Sequence, residues 1–177
     1  MAKKSLNVKD VAYISVLAAL CVLATFIKIP FGSGAMVHLG TGMVFTSAIL
    51  FGGVYAGWAA AIGSAFYDLL MGFSPYTFWS FFIKGIAGYL VGMIAMGPFP
   101  NYGETSARAG FLRIVLACFV GAMWTLMGYI VAWWSVIGSL SVALANIPAS
   151  LLTSSVGFVV AMFLCPRLRG YVEQNFR

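Results

Sequence analysis

Long, nearly uninterrupted apolar runs dominate this chain and leave few folds open to it. A run of about 20 apolar residues is long enough to cross the hydrocarbon core of a bilayer as an α-helix. Six such runs would occupy roughly 120 residues, and the chain has 177. Of these, 62% are apolar and only 8% charged, with a mean hydropathy of +1.00. Soluble domains carry about half apolar and a quarter charged residues, so a water-soluble globule is excluded. The net charge of +6 and pI of about 9.4 do not indicate nucleic-acid binding. The ten basic residues are spread along the chain as topology signals, whereas a nucleic-acid footprint clusters them on one face. The expectation is one integral membrane domain over residues 1–177.

The runs place span one at about Asp10–Ile29, stopped by Pro30 and followed by a Gly-rich loop, Phe31–Gly34. Span two follows at about Val37–Val54 and span three at about Ala56–Met71. The loop Phe73–Tyr76 leads into span four, about Thr77–Met96. A polar connection from Gly97 to Arg108, containing Glu104, precedes span five at about Ala109–Trp134. Span six is about Leu140–Cys165, with a short basic tail, Pro166–Arg177. Each span is expected to be helical, because hydrocarbon leaves every backbone amide to be satisfied within its own segment. A barrel would need alternation of period two, which these runs lack. The fold class expected is therefore an all-α membrane protein of six transmembrane helices.

Lys3, Lys4 and Lys9, then Arg108 and Arg113, then Arg167, Arg169 and Arg177 all fall on one side of a six-span chain. Lys28 alone lies at the opposite surface, and Lys84 falls inside span four. The positive-inside rule then puts both termini in the cytoplasm. The basic start resembles a signal peptide, but the run that follows is long enough to span and no small-x-small site closes it; an uncleaved first helix is expected. Leu20 directly before Cys21 does not suit a lipoprotein signal. Cys21, Cys118 and Cys165 are far apart, with no metal-ligand or redox spacing, and read as small buried hydrophobes.

Small residues recur at a spacing of four: Ser15 and Ala19; Ala56, Ala60 and Ser64; Gly57, Ala61 and Ala65; Gly88 and Gly92; Ala117 and Gly121. Such rows share one helix face and let backbones approach closely, either inside the bundle or against another membrane protein. Ser15, Ala19, Gly57 and Ala61 are the candidate partner-docking positions. Asp68 and Lys84 sit at similar depth on adjacent spans, where an isolated charge is expensive. An ion pair between them and a substrate contact by Lys84 are both open. His38, the single histidine, follows the Gly-rich loop, where it is either solvated or a ligand contact. Tyr76, Trp79, Trp133 and Trp134 form either an interfacial belt or stacking surfaces for a flat ligand. Asn146, followed by Pro148, is a polar amide at the same level. No GxSxG, HExxH, paired-carboxylate or phosphate-loop motif is present. No enzyme activity, metal or cofactor is expected, and the chain cannot hydrolyse ATP itself.

The succession His38-Leu39-Gly40, Leu50-Phe51-Gly52-Gly53, Ala65-Phe66-Tyr67-Asp68-Leu69-Leu70, Phe82-Ile83-Lys84-Gly85 and Asn146-Ile147-Pro148 resembles the substrate-binding S components of energy-coupling factor (ECF) vitamin transporters. The similar branch includes riboflavin, pyridoxine, hydroxymethylpyrimidine and pantothenate carriers. The resemblance implies a multi-pass protein of the prokaryotic plasma membrane that captures a vitamin from outside. Its implied partners are a transmembrane T component and two ATPase subunits, whose ATP-driven toppling of the S component would release the vitamin inside. It maps a pocket onto His38, Tyr76, Trp79, Lys84, Trp133 and Asn146, with the loop from Phe31 to Gly40 covering it. Ser15-xxx-Ala19 matches the Ala-xxx-Ala docking pattern of helix one, with Ser for the first Ala. Thr41 stands where many relatives carry an acidic residue, and Ala149 where many carry Gln; both departures point away from a riboflavin-like pocket. The substrate expected is a small heteroaromatic vitamin or precursor of the pyridoxine or hydroxymethylpyrimidine type. A stand-alone secondary carrier and a non-transporting scaffold subunit are the rival readings.

Overall fold

The computed structural model describes residues 6–31, 35–100 and 110–175. Lys3, Lys4, Arg108, Arg177, Glu104 and the glycines of the Phe31–Gly34 loop lie outside them. The chain runs α1 (Val8–Phe26), β1 (Lys28–Phe31), β2 (Ala35–His38), α2 (Gly40–Leu70), α3 (Ser74–Ala95), α4 (Phe111–Ile137), α5 (Leu140–Ala145) and α6 (Ile147–Asn175). Among the described residues, five helical segments are long and apolar enough to cross a membrane. Large apolar side chains such as Val16, Leu23, Phe78, Leu112, Phe119 and Phe163 are exposed on their outer faces. A surface of that kind suits lipid as its solvent.

Helix α1 starts on a capping box: Asn7 Oδ1 accepts from the Asp10 amide at 3.0 Å, and the Asn7 amide donates to Asp10 Oδ2 at 2.8 Å. The other Asp10 oxygen accepts from the Tyr55 hydroxyl, tying the start of α1 to α2. Span one was expected to reach Ile29, but α1 ends at Phe26. The next residues form an antiparallel hairpin with Lys28 opposite His38 and Phe31 opposite Ala35. Pro30 cannot continue a helix, and strand pairing satisfies the amides instead. Residues 37 and 38, assigned to span two, belong to this hairpin, so the fold is all-α except for it.

Helix α2 is folded on itself at Gly52, whose φ of 81° and ψ of 178° no side-chain-bearing residue adopts readily. A Cβ there would also lie 2.8 Å from the Gly97 carbonyl oxygen. The amides of Gly53 and Val54 donate to Gly97 and Pro98 carbonyls at 2.8 and 3.0 Å, which satisfies the break. The two arms, residues 40–51 and 53–70, pass α1 in opposite directions. Gly40 lies against Thr25 near the end of α1, and Tyr55 reaches Asp10 at its start. Gly63 then meets Ala18, and Tyr67 stacks edge-on against Phe26. At 1.5 Å per residue the arms are roughly 18 and 27 Å long.

Small residues set the close packing. A Cβ on Gly92 would lie 2.4 Å from the Gly53 nitrogen, and one on Gly88 2.7 Å from the Ala56 oxygen. Gly57 and Ala61 are buried against Gly85 and Tyr89 of α3. That row packs inside the bundle, which removes Gly57 and Ala61 as docking positions for a second protein. Ser15 and Ala19 are exposed on α1.

The last helical stretch breaks at Asn146, between α5 and α6. Helix α6 then runs through Pro166 to Asn175, where a tail was expected. Val172 is part of the main buried cluster with Val44, Phe45 and Leu50, which holds the helix beyond Pro166 against the bundle. Arg169 and Glu173 form an i,i+4 ion pair at 2.7 Å. All three cysteines are free and buried.

Candidate substrate cavity

One end of the bundle gathers the close of α1, the hairpin, both ends of α2, the start of α3, the close of α4 and the start of α6. Between them lies a cavity of about 180 Å³. Lys9, Arg113, Arg167 and Arg169 sit toward the opposite ends of their helices.

Helical spacing explains which side chains enter it. On α3, Tyr76, Ser80 and Lys84 follow one another at intervals of four and line the cavity. On α4 the row is Thr125, Tyr129, Trp133 and Ile137. Helix α6 contributes Ala149, Ser150, Thr153 and Ser154, with Asn146 at the break before it. The arms of α2 supply Thr41 and Val44 from one side and Ser64, Tyr67 and Asp68 from the other. Met36 and His38 of β2 complete the wall.

Lys84 is the central charge. It is 5% exposed, its ammonium donates to Thr41 Oγ1 at 3.0 Å, and it lies 5.4 Å from the centre of the Tyr129 ring. Ser80 Oγ and the Tyr129 hydroxyl are 3.0 Å apart, and Tyr129 and Trp133 present tilted rings with centroids at 5.7 Å. These rings make an aromatic wall beside a donor, the usual makings of a site for a flat polar ligand. Asn146 is 3% exposed and faces the same space.

The hairpin is held over this end by several contacts. Lys28 donates to the Tyr67 hydroxyl at 2.6 Å and sits over the Tyr67 and Phe73 rings. Thr153 Oγ1 is 3.2 Å from the Met36 carbonyl and 2.8 Å from that of Ala149. His38 Nδ1 accepts from the Gly40 amide at 3.1 Å, so that nitrogen carries no proton. Burial, and then the nearby Lys84 and Lys28 charges, hold the imidazole well below its ordinary value, at about 3.

Five of the six expected binding residues, His38, Tyr76, Lys84, Trp133 and Asn146, line the cavity together. Trp79 does not. It neighbours Phe78 instead, because it lies about 100° around α3 from Ser80. The expected Asp68–Lys84 ion pair is not formed: both line the cavity, but the one salt bridge among the described residues joins Arg169 and Glu173. Ser80, Thr125 and Tyr129 were not expected, although polar residues four apart inside apolar runs are the signal for them. Among the described residues, no group of three His, Cys, Asp or Glu side chains could hold a metal.

Residues 5–169 match the family model of the ECF-type riboflavin transporter, S component. The chain is also 29% identical to the thiamine precursor transporter HmpT of Lactococcus lactis subsp. cremoris, over 97% of this chain and 95% of that protein. An uncharacterized protein in a gap 3′ region of Pyrococcus woesei is 30% identical over 113 residues, 63% of this chain and 69% of that one.

Proposed function

The chain belongs to the ECF-type riboflavin transporter S-component family, and on that footing we propose that it captures a single-ring heteroaromatic vitamin precursor. Family membership makes it a membrane transport subunit rather than an enzyme. The substrate reading is of the pyridoxine or hydroxymethylpyrimidine type, and the Lys84 donor beside the Tyr129 and Trp133 rings carries it. The likeness to a thiamine precursor transporter over nearly the whole chain supports the same choice.

Counting the two arms of α2 separately gives six crossings, and the fold-back at Gly52 supports that count. With six, both termini lie on the side of Lys9, Arg113, Arg167 and Arg169, which the positive-inside rule makes the cytoplasm of a prokaryotic cell. The cavity then opens outward. Lys84, Asn146 and Trp133 orient the ligand, and the hairpin covers it. The partners are a T component and two ATPase subunits, with the exposed Ser15 and Ala19 on the docking flank.

Co-expression with a T component and its ATPases tests the reading. The expected result is a stable co-purifying complex and ATP-dependent uptake of a labelled hydroxymethylpyrimidine into proteoliposomes. Uptake by this chain alone, driven by an ion gradient, would replace the reading with a secondary carrier.

A further inference from the structure

Two charged side chains line the cavity, and no contact of salt-bridge length joins them. Lys84 spends one of its three N–H donors on Thr41. Asp68 is 8% exposed, and its Oδ2 has no hydrogen-bond partner. A buried carboxylate oxygen left without a donor is costly. Inside a membrane such groups pair with one another or face a solute path, and here the first arrangement is absent.

We propose that Asp68 is the specificity-determining residue of this site, and that it reads an exocyclic amino group on an N-heteroaromatic ring. The proposal rests on the reading of the chain as a capture subunit for a single-ring precursor. An ionised carboxylate only accepts hydrogen bonds, and an ammonium only donates them. The substrate must therefore bring a donor, N–H or O–H, to Asp68 and an acceptor, a ring nitrogen or hydroxyl oxygen, to Lys84. A hydroxyl is both donor and acceptor and satisfies either residue. An amino group beside a ring nitrogen satisfies the pair in one orientation only, with the ring lying along Tyr129 and Trp133. The class selected is an aminopyrimidine in preference to the same ring without the amino group.

Isothermal titration of the purified full-length chain tests this with two probes: a hydroxymethyl-aminopyrimidine, and the same ring with hydrogen in place of the amino group. A site built to bond a polar group strongly rejects the analogue lacking it, and about 100-fold preference for the amino probe is expected. Asp68→Leu should remove most of that preference by weakening the amino probe alone, leaving the two within about 3-fold of each other. Asp68→Asn, which keeps the shape, should lose about 10-fold on the amino probe, since bonds to charged groups are roughly twice as strong; it decides the matter if Asp68→Leu does not fold. Wild-type preference retained in either folded variant, or both probes weakened equally, would overturn the role of Asp68. Wild-type binding of a flavin or pyridoxine but of neither probe would also overturn it while leaving the transport reading intact. Failure to bind any vitamin would overturn both.

Discussion

The ammonium of Lys84 donates to the hydroxyl of Thr41 at 3.0 Å, across the cavity wall from α3 to the first turn of α2. This bond aims a buried cation that lines the cavity beside the Tyr129 ring. Hydrogen bonds to charged groups contribute about 1.5–3 kcal/mol, so Lys84→Met is expected to weaken ligand binding roughly 10- to 100-fold. Thr41→Val removes only the guide and no ligand contact of the ammonium, so a smaller loss, less than about 10-fold, is expected. Calorimetric titration of both variants checks the order.

Trp133 and Trp79 should separate cleanly. Trp133 lines the cavity beside Tyr129, and Trp79 packs outside it with Phe78. Aromatic stacking is worth about 0.5–1.5 kcal/mol, so Trp133→Ala should lose roughly 3- to 10-fold in affinity. Trp79→Ala should stay within about 2-fold of wild type, the ordinary scatter of an uninvolved position. Equal losses would mean that the cavity extends beyond its present walls.

The angular position of Trp79 also marks the limit of what could be read from the chain. The apolar runs located the spans well, because continuous hydrophobicity measures membrane depth directly. Depth alone grouped Tyr76, Trp79 and Trp133; the 76, 80, 84 row shows that only one face of α3 points inward. Gly57 and Ala61 formed a small-residue row, but nothing local says whether α3 or a foreign helix fills it. The hairpin was hidden because Lys28–Phe31 is short and contains Pro30. The extension of α6 past Pro166 was hidden too, since the partner that stabilises it, the cluster around Phe45 and Leu50, is distant in sequence. Asp68 and Lys84 fall at similar depth, but whether Lys84 meets Asp68 or Thr41 depends on where neighbouring helices put Thr41.

His38 gives a pH dependence with a definite sign. Its folded value of about 3 lies below the ordinary 6.5, so below about 6.5 the unfolded chain binds a proton that the folded chain refuses. The stability contributed by the neutral imidazole is complete above that pH and is lost as pH falls toward 3. Lys28 on β1 and Lys84 on α3 oppose the charge, while Asp68 on α2 shares the cavity. His38→Asn keeps an acceptor for the Gly40 amide without titrating there. Thermal unfolding between pH 7 and pH 5 should fall more steeply in wild type than in His38→Asn; parallel curves would contradict the assignment.

Tyr55 is 1% exposed, and its hydroxyl donates to the buried Asp10. Tyr55→Phe keeps the ring, and with it the edge-on contact with Phe99, but leaves that Asp10 oxygen without this donor. Buried polar groups that lose a partner cost about 1–3 kcal/mol. A destabilisation of that size in a denaturant titration, with ligand affinity unchanged, is expected, because Tyr55 is remote from the cavity.

The most direct test is native mass spectrometry of the purified chain after incubation with equal amounts of hydroxymethylpyrimidine, pyridoxine and riboflavin. One single-ring adduct per chain is expected, and it should be strongly diminished in Lys84→Met. A flavin adduct, no adduct, or a single-ring adduct undiminished in Lys84→Met would contradict the cavity as the capture site.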